Sequence, residues 1–155
     1  MSNSDFASKL VPFRLFEGLS AEDLCALSSV FHSRIFKRDE VVTEFDGLDK
    51  NVFLIVDGKV TVTVPHVNKQ REEHICDLRD GDTVGEFLLA RTARRTATCT
   101  AFSDVETLYA SGEELASILQ LNPQLGMKVY LNLSRILCDR LLDNNHLVRR
   151  VLGGA

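Results

Sequence analysis

The chain has 155 residues, of which 45% are hydrophobic and 26% are charged, a composition typical of one folded domain and not of a disordered or fibrous protein. The net charge of -4 argues against a broad nucleic-acid-binding surface, which needs a basic face. No apolar run has the length of a membrane span, and the N-terminus lacks the apolar region of a signal peptide, so we expect a cytoplasmic protein without a membrane partner.

The cysteines and histidines follow no metal-binding or redox pattern. The four cysteines are widely and irregularly spaced, and the four histidines form no H-x-H or H-E-x-x-H motif. We therefore predict free thiols, buried as small apolar side chains, and no metal site. No nucleophile stands beside a recognisable base, so no catalytic residues and no prosthetic group are expected. The cysteines are Cys25, Cys76, Cys99 and Cys138.

The first part of the chain has helical patterning. Residues 1–12 are expected to form a flexible lead. Ser20 precedes an alanine and two acids, the pattern of a helix N-cap with acidic residues in the first turn. Leu24, Leu27 and Phe31 then recur at helical spacing, which predicts a short helix with one buried face.

The middle of the chain, residues 33–110, is predicted to be β-structure. Short β-branched or aromatic runs alternate there with turn signals such as Asp57-Gly58. Residues 59–64 alternate strictly between polar and apolar side chains, as a half-buried strand does. No crossover helices separate the strands, so an antiparallel β-roll or jelly-roll barrel is predicted and parallel βαβ units are not. The predicted strands are 52–56, 59–64, 74–78, 96–101 and 105–110.

The last part of the chain is predicted to be helical, which makes the fold class α+β, mainly β, in a single domain over residues 1–155. Ser111 begins a capping box that opens a short helix. Asn122-Pro123 restarts the chain at a second helix. That helix is predicted from Gln124 to about Asp143 or beyond, with residues 124–148 acting as a lid or partner helix.

The long predicted helix is apolar around most of its circumference. A helix that packs on a single core shows a narrower apolar arc. A second apolar contact is therefore predicted, with a partner protein, a lid surface or a second copy of the chain. The alternative is a helix sunk deep in a groove of its own domain. Its polar stripe consists of Lys128, Asn132, Arg135, Asp139 and Asp143.

The segment from Gly81 to Thr98 carries the clearest chemistry. Gly85 permits close approach of the backbone to a ligand, and the four residues that follow suit a single helical turn whose free amides would face an anion. Arg95 can supply a forked, permanent positive charge for a phosphate. Glu86 is an acceptor only, so it would accept a hydrogen bond from a hydroxyl such as that of ribose. One cation and one acceptor together match a sugar-phosphate.

This segment resembles the phosphate-binding cassette of the cyclic-nucleotide-binding domain family. It reads Val-Gly-Glu-Phe-Leu-Leu and, after a few residues, Arg-Arg-Thr-Ala-Thr. The interval from Glu86 to Arg95 equals that between the glutamate and the arginine of the cassette. Gly58, after an apolar run, resembles the family's strand and turn, and the resemblance extends over roughly residues 13–143. Four places depart from the pattern of the family. Val84 replaces the usual phenylalanine, Arg94 replaces the usual proline, Asp39 stands where the family often has glycine, and Phe45-Asp46-Gly47 is irregular against the usual Gly-Asp turn.

The resemblance implies a stand-alone sensor of cAMP or cGMP that signals through movement of its C-terminal helix to a partner protein. Arg95 would bind the cyclic phosphate and Glu86 the ribose 2′-hydroxyl. The other residues implied at the ligand through their backbone are Gly85, Phe87, Leu88, Thr96 and Ala97. A threonine directly after the phosphate-binding arginine, as at position 96, is similar to the cGMP-accepting sites of the family, and it is compatible with cAMP as well. Arg140 would either reach over the pocket to stack on or hydrogen-bond the purine or extend its charge into solvent beyond the core edge.

Other functions share parts of this pattern. A degenerate domain of the same fold would serve as a protein-interaction or dimerisation module, with Glu86 only favouring a helix N-terminus and Arg95 only a solvated charge. A metalloenzyme on a similar β-roll is disfavoured by the placement of the histidines. A DNA-binding regulator would need a helix-turn-helix, and only about a dozen residues follow the predicted long helix, so DNA binding is not expected.

Overall fold

Two antiparallel sheets of four strands each form the centre of the protein. The computed structural model describes residues 3–68 and 70–153. One sheet has the strand order β1-β8-β3-β6 and the other the order β2-β7-β4-β5. The strands are β1 (His32–Phe36), β2 (Val41–Thr43), β3 (Asn51–Asp57), β4 (Lys59–Pro65), β5 (Glu72–Arg79), β6 (Thr83–Val84), β7 (Thr98–Ala101) and β8 (Val105–Ser111). The predicted mainly-β roll is confirmed, although the two sheets do not close into a barrel.

The strand β4 shows how the sequence pattern produces the roll. Val60 and Val62 are buried in the apolar cluster between the sheets, whereas Thr61 and Thr63 are half-buried. β4 pairs with β5 on one side and with β7 on the other, so its valines face the interior of the roll. All five predicted strands are present, and the short strands β1, β2 and β6 complete the sheets.

Two corners of the roll require backbone conformations that most residues avoid. Gly58 has φ +112°, and a Cβ there would lie 2.6 Å from the carbonyl oxygen of Asp104, so the β3–β4 hairpin needs glycine. Asp39, one of the departures from the resembled pattern, lies at a second corner and adopts φ +70°. Its amide donates to the carbonyl of Ala101 at 2.8 Å. The corner therefore keeps its left-handed geometry, which aspartate tolerates better than most residues.

Helices flank the sheets at both ends of the chain. They are α1 (Asn3–Leu10), α2 (Ala21–Ser28), α3 (Gly112–Leu121) and α4 (Pro123–Gly153). The predicted cap at Ser20 is present: its hydroxyl accepts from the Asp23 amide at 3.1 Å, and the Asp23 carboxylate accepts from the Ser20 amide. Ser111 likewise accepts from the amide of Glu114. None of the helices within the described residues is both long enough and apolar enough to cross a membrane.

Helix α1 lies in the segment 1–12 that the sequence suggests is a flexible lead. The structure instead has a helix there, because its apolar side chains find a place in the helical part of the core. Leu10 is fully buried, and Phe6 packs against the same cluster. Residues Asn3–Leu10 are therefore part of the packed domain.

The helix α4 extends past Asp143, as the prediction allowed, and ends at Gly153, five residues after the predicted lid or partner helix 124–148; one of its faces packs on the rest of the domain. The buried residues of α4 are Leu125, Gly126, Val129, Asn132, Leu133 and Ile136. Asn132, which its spacing assigned to the polar stripe, is buried. Burial is possible because its side-chain amide donates to the carbonyls of Leu15 (3.2 Å) and Glu17 (2.8 Å). None of residues 137–153 is buried. The first half of α4 is thus fixed on the domain, and the second half extends along its surface.

Candidate functional site

A short turn between β6 and β7 positions Glu86 and its neighbours beside the roll. Residues Glu86–Leu89 form a single 3-10 turn, as the sequence predicts. Gly85, which precedes it, has φ +79°, a conformation that favours glycine. The amide of Leu88 donates to the Gly85 carbonyl at 3.0 Å, so this amide is engaged within the turn. The side chains of Leu88 and Leu89 anchor the turn in the helical core.

The side chain of Arg95 is buried and held from one side by the loop between β2 and β3. Its exposed fraction is 2%. Nε donates to Asp49 Oδ2 at 2.7 Å, and Nη2 donates to Asp49 Oδ1 at 2.8 Å and to the Asn51 carbonyl. The backbone is held as well, since the Arg95 amide donates to the carbonyl of Gly47 at 3.1 Å. This bidentate pairing fixes the plane of the guanidinium.

The remaining nitrogen of this guanidinium, Nη1, is buried without a hydrogen-bond partner. Among the described residues it is the one buried side-chain nitrogen or oxygen in this state. It packs against Gly85: a Cβ added to Gly85 would overlap Nη1 and lie 3.1 Å from Cζ of Arg95. A buried donor left unpaired costs about 1–3 kcal/mol, and more when it is charged. An anion bound at Nη1 would remove this cost.

Glu86 is fully buried, and two residues hold its carboxylate. The hydroxyl of Thr83 donates to Oε2 at 3.2 Å, and Arg140 Nη1, from α4, donates to Oε1. Arg140 Nη2 also donates to the Thr83 carbonyl at 2.9 Å. The Arg140 side chain is 40% exposed, so it reaches from the surface to the buried acid. Neither sequence-based placement of Arg140 describes this contact, which forms because a buried carboxylate needs a cation.

A cavity of about 900 Å³ lies between the cassette, the inner face of β4 and β5, and α4. Its volume is in the range of small-molecule sites. Of the residues predicted at the ligand, those that line it are Gly85, Phe87, Arg95, Thr96, Ala97 and Arg140. Its wall opposite the cassette is mainly apolar, with Val62, Val64, Ile75 and Leu78. Glu86 and Leu88 do not line the cavity, but Glu86 contacts the lining residue Arg140. The arrangement offers a cation for an anionic group and an apolar wall for a planar base.

Sequence reasoning missed the residues that hold the two charged groups. Asp49 is the bidentate partner of Arg95, and Thr83 contributes a hydroxyl and a carbonyl to the Glu86–Arg140 contact. Thr83 precedes Glu86 by three residues, a spacing that could have suggested a contact. Nothing in the sequence singles out Asp49 from its neighbouring acids.

The cysteines only partly follow their prediction. Cys99 is buried, and burial raises the pKa of its thiol, so it is a neutral, small apolar group in the cavity wall. Cys25, Cys76 and Cys138 are exposed, so the prediction of burial is wrong for these three, and Cys76 lines the cavity. Across residues 3–68 and 70–153, no cluster of three or more His, Cys, Asp or Glu side chains could hold a metal ion.

Known proteins share both the sequence pattern and the fold. The family model described as Cyclic nucleotide-binding domain matches residues 33–122. The cGMP-dependent protein kinase, isozyme 2 forms cD5/T2, of Drosophila melanogaster is 33% identical over 94 residues, which are 61% of this chain and 10% of the kinase. The chain thus spans about a tenth of the length of the curated relatives it matches.

Solved structures with a similar fold include the following two. A cyclic nucleotide-binding domain from Methylobacillus flagellatus has a TM-score of 0.81 at 23% identity, covering 96% of this chain and 83% of that chain. The catabolite activator protein of Thermus thermophilus has a TM-score of 0.75 at 26% identity, covering 89% of this chain and 62% of that chain.

Proposed function

This chain belongs to the cyclic nucleotide-binding domain family, and we propose that it is a sensor that binds cAMP or cGMP without catalysing a reaction. The observation that carries the proposal is the unpaired, buried Nη1 of Arg95 beside Gly85. The guanidinium is already fixed by Asp49, so it can meet a phosphate with little loss of side-chain entropy. The cyclic phosphate would bind at Arg95, and the purine would lie against the apolar wall of the cavity.

The ribose end of the ligand would compete with Arg140. A ribose hydroxyl must donate to Glu86, whose carboxylate is taken by Arg140 and Thr83 in this structure. Binding would therefore displace Arg140 from Glu86. Because Arg140 belongs to the half of α4 that has no buried residues, its displacement would remove one of the two ion pairs, Arg140–Glu86 and Arg14–Asp139, that hold this half on the domain. A ligand shifts an equilibrium only through such a difference in contacts between two states.

The preference for guanine or adenine would be set by Thr96, next to Arg95 in the cassette. Thr96 is exposed and lines the cavity. Its hydroxyl can accept a hydrogen bond from the exocyclic amino group of guanine. The curated relatives that match the chain are cGMP-dependent protein kinases. We therefore infer that cGMP binds at least as tightly as cAMP.

Calorimetric titration of the chain with cAMP, cGMP, guanosine and 5′-AMP tests the proposal. We expect micromolar or tighter binding of a cyclic nucleotide and much weaker binding of guanosine, which lacks the phosphate. The nucleotide should be recovered unchanged after prolonged incubation, since binding alone is proposed. Absence of heat and of any thermal shift with both cyclic nucleotides would overturn the sensor and favour a module for protein interaction.

Removal of Arg140 should strengthen nucleotide binding. In Arg140→Ala the ribose hydroxyl no longer has to displace a cation, and Glu86 is left needing a donor. We expect affinity to rise about three- to tenfold, because a hydrogen bond to a charged group contributes about 1.5–3 kcal/mol and the 40% exposure of Arg140 lowers that value. Calorimetry measures the change, with Arg135→Ala on the same helix as the matched control. A weaker affinity in Arg140→Ala would instead assign Arg140 a direct contact with the nucleotide.

A further inference from the structure

Two cysteines line the cavity on the strands that flank β4. Cys76 on β5 and Cys99 on β7 both pair with Val62 of β4. Paired residues point to the same face of a sheet, so the two thiols lie on either side of Val62 on the face that lines the cavity. Adjacent strands are about 4.8 Å apart, which places the two Cα atoms about 10 Å apart. A disulfide needs Cα atoms within about 7 Å, so these thiols cannot oxidise to one another.

Of these two thiols, Cys76 is the one that a dissolved reagent can reach. Cys76 is exposed, whereas Cys99 is buried. Burial also raises the pKa of the Cys99 thiol, which makes it inert because the thiolate is the nucleophile. Burial raises the pKa of the Cys76 thiol as well, and the charge of Arg140 opposes this rise. Cys76 should therefore react slowly, over the minutes to hours of uncatalysed thiol–disulfide exchange.

The same cavity holds a cation that lacks a partner. Arg95 lines the cavity, its side chain is 2% exposed, and its Nη1 has no hydrogen-bond partner. The charge of Arg95 opposes the rise in the pKa of Cys99, so the guanidinium lies within electrostatic range of the face that carries the two thiols. A small molecule attached at Cys76 could therefore bring a carboxylate to Nη1.

The acidic side chains near Cys76 are engaged by other groups. The charges of Asp77 and Asp82 both act on the Cys76 thiol. The carboxylate of Asp77 pairs with Lys59 Nζ at 3.0 Å, and that of Asp82 accepts from the amide of Arg79 at 2.8 Å. Neither carboxylate is thus a free anion that would exclude an acidic reagent from the cavity.

We propose that Cys76 is a modification site for small acidic disulfides, which form a mixed disulfide whose carboxylate binds Arg95. The Cys76 thiolate attacks one sulfur of the reagent, so a new S–S bond forms as the old one breaks. The leaving thiolate takes up the proton that Cys76 lost, and the exchange needs no further oxidant or reductant. Glutathione disulfide is a suitable probe, because each half carries two carboxylates. A cavity of about 900 Å³ can hold one half of it.

The mixed disulfide would occupy the place of a cyclic nucleotide. It would cover the apolar wall beside Cys76 and take the free donor of Arg95, so the two ligands could not bind together. A free thiol would reverse the exchange and restore the empty cavity. This consequence rests on the proposed function, whereas the modification itself does not.

The rates of modification without nucleotide test the site. The protein is incubated with glutathione disulfide or with the neutral hydroxyethyl disulfide, and peptide mass spectrometry follows each cysteine. Cys25 and Cys138 are exposed outside the cavity and serve as internal controls. The ratio of acidic to neutral rates should be about tenfold higher at Cys76 than at the controls, the size expected for one hydrogen bond to a charged group. An equal ratio at the three thiols, or no adduct at Cys76, would overturn the proposal.

Two variants test whether Arg95 holds the carboxylate. In Arg95→Ala the ratio at Cys76 should fall to that of the control cysteines. Arg94→Ala is the matched control, since Arg94 is exposed and pairs with Asp46, and it should keep the preference of the wild type. A preference that survived in Arg95→Ala would contradict the proposed contact. The wild-type ratio stays decisive if Arg95→Ala does not fold.

Calorimetry tests the exclusion of nucleotide. Cys25→Ser and Cys138→Ser are combined so that glutathione disulfide modifies Cys76 alone. The adduct should bind cyclic nucleotide at least about tenfold more weakly than the unmodified variant, and dithiothreitol should restore the affinity. Equal affinity before and after modification would overturn the exclusion. If the unmodified variant bound no cyclic nucleotide, the proposed function would fail, while the rate ratios would still decide the modification site.

Discussion

Arg95→Ala should lower the affinity for cyclic nucleotide by at least about a hundredfold. The guanidinium is the buried cation whose Nη1 lacks a partner, and each hydrogen bond between it and a phosphate is worth about 1.5–3 kcal/mol. Two such bonds account for the expected loss. Calorimetry with cAMP and cGMP measures it, and urea unfolding checks that the variant remains folded. Asp49, its partner, is 38% exposed and would be solvated after the change.

Two further variants make the Arg95 result specific. Arg94→Ala removes the adjacent arginine, which is exposed and pairs with Asp46, and should change affinity by no more than about twofold. Arg95→Lys keeps the charge but cannot form the bidentate pair with Asp49, so it should bind almost as poorly as the alanine variant. If the affinity of Arg95→Ala stayed within tenfold of the wild type, Arg95 would not be a ligand-binding residue of the proposed site.

Gly85→Ala should weaken nucleotide binding by at least about tenfold and also destabilise the domain. Its Cβ would overlap Nη1 of Arg95 and lie 3.1 Å from the Asn51 carbonyl, so the guanidinium must leave its position. The left-handed φ of +79° adds about 1–2 kcal/mol of strain in any residue with a Cβ. Calorimetry and urea unfolding measure the two effects separately.

Gly18→Ala is the matched control for the backbone effect alone. Gly18 has φ +77°, and a Cβ there meets nothing within 4 Å. Gly18→Ala should therefore lower the free energy of unfolding by about as much as the backbone strain alone does in Gly85→Ala. It should leave the nucleotide affinity unchanged. If Gly85→Ala bound nucleotide as tightly as Gly18→Ala does, the contact between Gly85 and Arg95 would have no role in the site.

Local patterns predicted the elements of this fold, because each depends on residues close in sequence. The alternation in β4, the Asp57-Gly58 hairpin and the turn after Gly85 are all interactions over a few residues. The capping of α2 by Ser20 belongs to the same class. The C-terminal end of α4 was the least defined of these predictions, since the residues after Asp143 give no stop signal until the glycine at its end.

The charged pairs of the site could not be predicted in this way. Arg95 and Asp49 are 46 residues apart, and Arg140 and Glu86 are 54 residues apart. Each pair forms because separate elements of the fold bring the two side chains to one buried place. The sequence alone also left open whether Arg95 was a solvated charge. Arg95 is buried because its guanidinium packs against Gly85, and this packing depends on the left-handed backbone conformation that glycine allows.

The unequal halves of α4 have a consequence for the speed of a response. Beyond Ile136, ion pairs tie the helix to the domain in the part of the chain that the structure describes, Arg14–Asp139 and Arg140–Glu86. Detaching this half breaks those pairs and removes Leu137 from the helical part of the core, but the buried residues of both apolar clusters stay in place. It therefore requires far less free energy than global unfolding. Exchange between the attached and detached positions should then take on the order of microseconds to milliseconds. The domain could follow a changing nucleotide concentration without any part of its core having to refold.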